Sequence, residues 1–531
     1  MKEIILYTYG YLVFFYSMAL MLSYVMLIWL SYIEQKRSAH VMSDPYVKKI
    51  LERSPYVPGV SIIAPAYNEE QTIINNVNSL LSQDYPKFEV IIVNDGSKDN
   101  TLQEMIDYFE LTEIPFHYRQ RILAKPFKRM FISRKKEYFR LRVVDKVNGG
   151  TKADPVNAGL NVAKYPYFIN TDVDCILAKN AILKCIRPMI EKNNVIAVSG
   201  VMNMSNACVV EKGEMVEYRI PWSPIPLFQT LEYMRSFMVG KMGWSAINAM
   251  PNVSGGYGMF DTEVAIAAGG YSADSLAEDM DMIIRMIGYC CDFNRKYRVV
   301  QIPDTCCWTE GPASIKQLYR QRARWGHGLI QTFGKYYRMI FKKKYRQLGL
   351  ITLPYLLIFE FISPLIELIG VITFAYLAMT GGVNWDTAWI IFLVMYVFCI
   401  QLSFVVVYYD YLQTKMAGFS YIRLVVAALL EPFIYHPMII IFSLRGYLRF
   451  IMKQRIAWGE MKRKGFQNKQ ENTHKDTTES NQHAENSTDN TQEKPLLNDN
   501  NGSSNTNKDI SFDRYRRIER TPETPYLRRF G

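Results

Sequence analysis

Two long stretches of this chain carry no charged side chain, residues 5–32 and residues 388–408. Each is long enough to cross the hydrocarbon core of a bilayer as a helix, the conformation that satisfies every backbone polar group internally. Two further apolar segments, residues 351–379 and 424–444, contain Glu360, Glu367, Glu431 and His436 together with prolines. The sequence therefore predicts a membrane protein in which two of the membrane helices have polar interiors.

The first apolar segment is predicted to be an uncleaved anchor. It is longer than the apolar region of a signal peptide, and no small-x-small cleavage site precedes Glu34. A cleaved signal peptide is the alternative. Between residues 34 and 349 no apolar run approaches spanning length, and Lys and Arg are frequent. The positive-inside rule therefore predicts that this block is cytoplasmic and that the N-terminus faces outward.

The sequence leaves the topology of the last apolar segment open. Three further crossings would place the basic residues 445–464 on the outer side, against the charge rule. The alternative is a break at residues 431–437, which would turn the last helix into a re-entrant pair buried in protein. The ionisable groups inside these segments also have two interpretations: they face a wet channel, or they pair with one another in helix packing.

The net charge of +12 limits the partners that can be expected, and the spacing of the eight cysteines limits the metal sites. No nucleic-acid-binding signature accompanies the positive charge, which lies near the membrane segments, so we expect contact with anionic membrane lipids and no nucleic-acid partner. The cysteines include the adjacent pairs at 290–291 and 306–307 but no CxxC with metal-ligand spacing. Reduced and mostly buried thiols are expected.

Short apolar runs alternate with helical patterns between residues 60 and 171. Strands are predicted at residues 61–64, 90–93, 141–144 and 167–171, and helices at 72–81 and 153–163. This alternation is typical of an α/β domain, a mostly parallel sheet with flanking helices, in which ligands bind at the carboxyl ends of the strands. The stretch 117–146 is rich in Lys and Arg and is interpreted as an insertion between strands, whose charged face is either solvated or in contact with the membrane surface.

Five polar residues lie where such a domain places its chemistry, and each also has a purely structural interpretation. Asp172 and Asp174 follow a strand end and can hold a hard divalent cation against a pyrophosphate, although acidic pairs are common in turns. Asp95 either closes an Asp-Gly-Ser turn or accepts hydrogen bonds from a uracil or ribose. Lys152, before a helix, either neutralises a phosphate or is simply exposed. Asp279 either caps a helix or deprotonates an acceptor hydroxyl as a general base.

Seven motifs in this order resemble those of the family 2 glycosyltransferases, inverting membrane enzymes that include the cellulose, hyaluronan, chitin and poly-N-acetylglucosamine synthases. The resemblance covers residues 60–464 and implies a GT-A type nucleotide-sugar-binding domain joined to membrane α-helices. The matching stretches are Ser61-Ile-Ile-Ala-Pro-Ala-Tyr-Asn-Glu-Glu70, Val93-Asn-Asp-Gly-Ser97, Gly149-Gly-Thr-Lys-Ala-Asp-Pro-Val-Asn-Ala-Gly159, Asp172-Val-Asp174, Ser254-Gly-Gly-Tyr-Gly258, Glu278-Asp279 and Gln321-Arg-Ala-Arg-Trp325.

On the donor side, the resemblance implies a UDP-sugar and a divalent cation. The residues that would contact the donor are Tyr67, Glu69 and Asp95 at the uridine, Lys152 at the diphosphate and Asp172 at the nucleotide. Asp172 and Asp174 would hold the Mg²⁺ or Mn²⁺ that neutralises the leaving group.

On the acceptor side, the resemblance implies that Asp279 is the catalytic base and that Gln321, Arg324 and Trp325 hold the acceptor end and the leaving diphosphate. Residues 233–252 would line the acceptor path. The chain departs from the family where its Thr-Glu-Asp motif reads Ala277-Glu278-Asp279, which removes a hydroxyl near the base.

Three functions are compatible with these residues. The first is a processive synthase that extends a β-linked polysaccharide from UDP-sugars and passes it through the membrane, with or without a separate export partner. The second is a non-processive transferase that adds one sugar to a lipid acceptor; the motif at 321–325 favours the polymer. The third is a non-catalytic membrane scaffold. The sequence does not identify the sugar, its linkage or the acceptor.

We expect five parts along the chain, in a multi-pass protein of the plasma membrane with a cytoplasmic catalytic domain. They are an N-terminal anchor (1–34), a GT-A glycosyltransferase domain (35–312), interfacial amphipathic helices (313–345), a membrane region of about three helices (346–447) and a basic juxtamembrane segment with a tail (448–531). Residues 467–508 have few apolar side chains and are predicted to be disordered.

Overall fold

The computed structural model describes residues 2–42, 45–211, 213–414 and 418–454. The predicted disordered tail and most of the basic juxtamembrane segment lie outside these residues. Within them, the strands are β1 Val60–Ala66, β2 Phe88–Asn94, β3 Leu111–Ile114, β4 Phe127–Ser133, β5 Leu141–Lys146, β6 Tyr167–Thr171, β7 Ile176–Leu177, β8 Val195–Met204, β9 Val209–Glu211, β10 Glu214–Glu217, β11 Tyr257–Asp261 and β12 Arg298–Thr309.

The α-helices in the same residues are α1 Lys2–Met42, α2 Pro45–Arg53, α3 Ile73–Leu81, α4 Thr101–Phe109, α5 Ala153–Val162, α6 Ala181–Glu191, α7 Pro224–Met234, α8 Met242–Ala246, α9 Thr262–Ala267, α10 Glu278–Asp292, α11 Ile315–Tyr336, α12 Leu353–Tyr355, α13 Ser363–Met379, α14 Trp385–Thr414 and α15 Gly418–Ile451. Wider π-helical turns occupy Arg235–Lys241, Leu348–Thr352 and Leu356–Phe361. Short 3₁₀ turns occupy Lys136–Tyr138, Tyr337–Met339 and Lys343–Tyr345.

Ten strands form one mixed sheet in the order β3-β4-β5-β2-β1-β6-β11-β8-β12-β7, and β9 pairs with β10. Strands β5, β2, β1 and β6 are parallel neighbours. Strand β11 lies antiparallel between β6 and β8, so β8 and its parallel neighbour β12 run in the same direction as β6. The carboxyl ends of these six strands therefore share one edge of the sheet.

The sheet forms because its central strands are apolar on both faces. Every residue of β2 and of β8 is buried, which is typical of parallel strands covered by helices on both sides. The core against these strands includes Ile62, Ile73 and Val90. Helix α9 begins at an identifiable cap, where the side chain of Asp261 accepts from the backbone N–H of Val264 (2.9 Å).

All predicted strands and helices between residues 60 and 171 are present, with ends that differ by at most two residues. The interpretation of residues 117–146 as an insertion is wrong, because β4 lies inside this stretch and pairs antiparallel with both β3 and β5. The alternation in β4 is weak, since only Met130 and Phe131 are buried. A strand with few buried side chains carries little periodic signal.

Among the residues that the structure describes, four helical segments are long and apolar enough to cross a membrane: Tyr9–Ser38, Leu348–Met379, Trp385–Leu412 and Ser420–Ile451. They overlap the four apolar segments predicted from the sequence, and the chain is a membrane protein. The alternative in which residues 431–437 break the last helix is wrong, because α15 continues through Pro432 and Pro437. Pro437 lies between Tyr435, which contacts α7, and Gly446, which packs against α11.

The ionisable groups of these segments are mostly paired within the described residues. Glu431 forms an ion pair with Arg235, and Glu367 contacts His436 (2.7 Å) and accepts from the Ser363 hydroxyl (2.8 Å). These contacts support the helix-packing interpretation of three of the four groups named from the sequence.

Candidate active site

The site is built at the shared edge where the parallel strands end. Strands β1 and β2 pair in register up to Ala66 and Asn94, and β1 is also the parallel neighbour of β6. Tyr67, Asp95 and Asp172 directly follow β1, β2 and β6, so all three lie at this edge of the sheet, as predicted for an α/β domain.

Lys152 and Asp172 meet above the end of β6. The Lys152 ammonium forms an ion pair with Asp172 and donates to the carbonyl of Gly255 (2.6 Å). The amide of Asn170 donates to the same carbonyl (3.3 Å). Burial disfavours the charged form of Lys152, but the negative charges of Asp172 and Glu278 outweigh this effect. The pKa of Lys152 is therefore raised above its usual value. The sequence-predicted phosphate-binding lysine is thus a buried, charged group beside the acidic pair.

Asp172, Asp174 and Cys175 form a group that could hold a metal ion. One ligand atom from each lies within 4.8 Å of the others. Asp174 and Cys175 are buried. The Asp172 side chain is partly exposed to solvent and forms an ion pair with Lys152. Carboxylate oxygens suit hard divalent cations, and the thiol is a softer additional ligand that the sequence did not indicate.

Glu278 and Asp279 begin helix α10, where acidic side chains interact favourably with the helix dipole. Asp279 accepts from its neighbour Met280 N–H (2.8 Å) and from the Asn252 amide (3.4 Å). Glu278 is only 6% exposed. Burial, and then the charge of Asp279, raise the pKa of Glu278 to about 7, against the opposing effects of Lys152 and Arg324.

Gly255 lies between Lys152, which pairs with Asp172, and the acidic residues Glu278 and Asp279. Its carbonyl accepts from Lys152, and a Cβ added to it would lie 3.5 Å from a Glu278 carboxylate oxygen and 3.7 Å from the Asp279 Cβ. The segment before β11 therefore passes between Lys152 on one side and the start of α10 on the other. Residues separated by more than 120 positions in the sequence surround one crevice.

Helix α11 covers the start of α10. Arg324 donates to the carbonyl of Leu276 (3.3 Å). Gly328 permits the close approach, because a Cβ there would lie 2.9 Å from the Ala277 Cβ. Position 277, where the family motif has Thr and this chain has Ala, therefore lies at the contact with α11. A larger side chain at this position would crowd that helix.

The other two residues of the motif on α11 have different surroundings. Trp325 is 38% exposed, and the Arg322 guanidinium lies 4.2 Å from its ring centroid. Arg322 itself pairs with Glu232. The side-chain oxygen of Gln321 is buried and accepts no hydrogen bond from any residue that the structure describes.

The residues expected at the uridine lie at the β1 and β2 ends of the same edge. Tyr67 is partly exposed, and Glu69 accepts from the Thr72 hydroxyl (3.1 Å). Asp95 is buried and accepts from Lys146 (2.6 Å) and the Gly149 N–H (3.0 Å). Burial raises the pKa of Asp95, and the hydrogen bond from Lys146 opposes this effect. Their role at the uridine stays a prediction.

Sequence reasoning missed Lys241 as a site residue. It ends the π-helical segment Arg235–Lys241, is 7% exposed, and has its ammonium 4.3 Å from the ring centroid of Phe237. Within the described ranges it has no ion pair or hydrogen bond. Burial lowers the pKa of Lys241 to about 8, and only the charge of Asp279 opposes this effect. Lys241 belongs to the predicted acceptor stretch 233–252, but no local pattern indicates that it lies near Asp279.

Family comparisons identify the class of protein. The model "Glycosyl transferase family 2" matches residues 61–224, and "Glycosyl transferase family group 2" matches residues 217–402. The chain belongs to the family 2 glycosyltransferases, and its mixed sheet with flanking helices is the GT-A type fold that the motifs implied.

Among curated relatives, the chain is similar to two poly-beta-1,6-N-acetyl-D-glucosamine synthases from Staphylococcus epidermidis. It is 26% identical to one over 291 residues, which cover 54% of this chain and 59% of the relative. It is 25% identical to the other over 347 residues, which cover 65% and 71%. The chain thus spans little more than half the length of the first relative.

Among solved structures, the chain is similar to a mannosyltransferase from Pyrobaculum calidifontis in complex with GDP-mannose and Mn²⁺. The TM-score is 0.44 with 17% sequence identity, over 82% of this chain and 99% of that one.

Proposed function

We propose that this protein is an inverting glycosyltransferase that uses a UDP-sugar to extend a β-linked polysaccharide at the cytoplasmic face of the membrane. The observation that carries this proposal is the position of Gly255, with Lys152 and Asp172 on one side and Glu278 and Asp279 on the other. One group suits a leaving diphosphate and the other suits an acceptor hydroxyl.

On the donor side, Asp172 and Asp174 would hold Mg²⁺ or Mn²⁺, with Cys175 beside them. The donor set fits a divalent cation, because Asp172 and Asp174 supply the carboxylate oxygens that such ions prefer. The bound ion would neutralise charge on the leaving diphosphate. Lys152 would add a second positive charge, and Arg324 would reach the same crevice from α11.

On the acceptor side, Asp279 would take the proton of the acceptor hydroxyl while the hydroxyl oxygen attacks the anomeric carbon and UDP leaves from the opposite face. A base must be ionised and oriented before it can act. The contact from Asn252 orients the Asp279 carboxylate, and the positive charge of Lys241 interacts with the negative charge of Asp279. No covalent intermediate on the protein is required.

The names of the relatives indicate the donor class. Because the chain is similar to poly-beta-1,6-N-acetyl-D-glucosamine synthases, we propose that the donor is UDP-N-acetylglucosamine and that the growing glycan is the acceptor. The motif of Gln321, Arg324 and Trp325 favours repeated addition to a polymer, coupled to export. A separate partner protein would complete the export path, and the four candidate membrane helices would make the protein multi-pass in the plasma membrane.

The test uses the purified full chain in lipid nanodiscs with Mn²⁺ or Mg²⁺ and each common UDP-sugar in turn. Released UDP and product length are measured for the wild type, Asp279→Asn and Asp274→Asn, an exposed acidic control five positions away. Long products from UDP-N-acetylglucosamine that are lost only in Asp279→Asn support the proposal. Single additions to co-purified lipid would instead indicate the non-processive transferase. UDP release that is absent, or equal in all three proteins, would refute the proposed chemistry.

A further inference from the structure

A cavity of about 450 Å³ opens at the edge of the sheet opposite the candidate active site. Its wall includes Arg298, where β12 begins, and the loop that leads into β8 at Val195. The candidate active site lies at the other edge, where these strands end. At about 3.3 Å per residue, β8 spans about 30 Å between the two edges. A ligand in this cavity would therefore be separate from a donor bound at Lys152 and Asp172.

The wall of this cavity is positively charged. It contains four cations and three asparagines, and the cations are Lys192, Lys296, Arg298 and Arg346. Among the described residues, no Asp or Glu belongs to this wall. Like charges around one opening repel each other, and a cleft lined by one sign of charge concentrates ions of the opposite sign. We call it the basic cavity, and its charge indicates an anionic ligand.

A second cavity adjoins the basic cavity and shows how the cations of this region are otherwise balanced. The two cavities share Lys192 and Arg298 in their walls. In the second cavity, a carboxylate oxygen of Glu34 lies 3.4 Å from the Lys192 ammonium. Lys296 and Arg298 are exposed, and neither forms an ion pair within the described part of the chain. The protein therefore leaves these two charges available to a ligand.

Arg346 has a backbone conformation that is rare for a residue with a side chain, φ 49° and ψ −131°. Its guanidinium donates to two neutral oxygens, the carbonyl of Arg295 (3.4 Å) and the side chain of Asn294 (3.3 Å). Strained residues of this kind persist only where the surrounding structure holds them, and they cluster at ligand-binding positions. The planar guanidinium suits two oxygens of one phosphate group.

The basic cavity lies beside the ends of two candidate membrane spans. Gln347 in its wall directly precedes the span Leu348–Met379, and the adjoining cavity is lined by Ser38, the last residue of the span Tyr9–Ser38. The ends of membrane spans lie at the level of the lipid headgroups, which carry phosphate. The cavity volume falls within the range of small-molecule sites, about 300–1,000 Å³. The cavity is thus large enough for a whole headgroup.

We propose that the basic cavity binds a phosphate group, and that this phosphate belongs to the headgroup of an anionic phospholipid. Lys296, Arg298 and Arg346 would contact the phosphate oxygens. A bound headgroup would join the start of β12 to the membrane surface and so fix the orientation of the catalytic domain above the lipid. A soluble phosphate ester is the alternative source of the same chemistry. The proposal does not rest on the transferase activity, because binding is measured without a donor.

Thermal unfolding of the purified full chain in a neutral detergent tests this site. The probes are dioctanoyl phosphatidylglycerol and glycerol 3-phosphate, which carries a phosphate on glycerol without acyl chains. Divalent cations are left out, so that the donor site does not take up phosphate through a metal ion. The site variant combines Lys296→Gln with Arg298→Gln. The control variant combines Lys87→Gln with Arg53→Gln, which removes the same charge at exposed positions outside both cavities.

Without a probe, both variants should unfold close to the Tm of the wild type, because all four substituted side chains are exposed. Phosphatidylglycerol should raise the Tm of the wild type and of the control. The site variant should bind this lipid roughly 30-fold more weakly, on the order of fivefold for each cation removed near an anionic headgroup.

The two probes distinguish the sources of the phosphate. Tighter binding of the lipid than of glycerol 3-phosphate, lost in the site variant, identifies a lipid headgroup. A loss seen with glycerol 3-phosphate but not with the lipid retains the phosphate site and identifies a soluble ligand. If the site variant responds to both probes as the control does, or if neither probe raises the Tm of the wild type, the proposal is overturned.

Discussion

Replacing Lys241 with Met is expected to make the protein more stable and less active. The lysine is buried, and within the described ranges it forms no ion pair or hydrogen bond, so its ammonium is held in the site at a cost. Met has a similar length and no charge, and it can pack against Phe237 as the lysine stem does. The substitution therefore removes the cost of burying the charge together with its effect on Asp279.

The size of this cost follows from the pKa of Lys241. Burial lowers it from 10.5 to about 8, and at 1.36 kcal/mol per pH unit this difference corresponds to about 3 kcal/mol. Between pH 8 and 10.5 the unfolded chain binds more protons than the native protein, so the unfolding free energy of the wild type rises with pH in this window. The stability gained by Lys241→Met is therefore largest below pH 8 and disappears above pH 10.5.

The assay is thermal unfolding in detergent at several pH values, combined with UDP release. A gain of about 3 kcal/mol corresponds to a rise in Tm of roughly 5 °C for a domain of this size. Turnover is expected to fall at least about tenfold, a smaller loss than the roughly 10²–10⁴-fold contributed by a general base itself, because Asp279 remains in place. Lys87→Met, at an exposed lysine, is the control and should leave Tm and turnover nearly unchanged.

Two results would refute this reasoning. If Lys241→Met is no more stable than the wild type at pH 7, or its gain does not shrink toward pH 10.5, the lysine is not a buried charge. If the variant is more stable but fully active, the lysine does not serve Asp279.

Other predictions concern the same site and its supports. Lys146→Met leaves two buried aspartates without their shared cation and should lower the unfolding free energy by about 3–5 kcal/mol, seen as a lower Tm. The pKa of Glu278 is raised to about 7, so below this pH its carboxylate is protonated and no longer balances the charges of Lys152 and Arg324. UDP release by the wild type should therefore rise as the pH passes through 7. In Glu278→Gln the rate should stay flat in this range. Gly328→Ala, which crowds Ala277, should cost about 1–3 kcal/mol and reduce turnover, whereas Gly334→Ala in the same helix meets open space and should be neutral or slightly stabilising. Chelation of divalent cations should abolish UDP release, and added Mn²⁺ should restore it.

Local patterns were enough to predict the class of fold and much of the site. Strands such as β2 and β6 are short apolar runs bounded by turn residues, and a charge-free helix must lie in lipid. The carboxyl ends of parallel strands share one edge, so Asp172 could be assigned to a crevice before any distance was known. These features depend on the residue and its nearest neighbours along the chain, which a sequence displays directly.

Only the tertiary structure decided which distant residues meet and where each helix lies. Lys241, Gly255 and Asp279 surround one crevice because a π-helical turn, a loop and a helix start converge there, and no periodicity marks such convergence. The apolar composition of α15 likewise does not indicate which elements it packs against. Its contacts with Ile220 and α11 are known only from the structure, because hydropathy records the preference of a segment for lipid but not its neighbours in the fold.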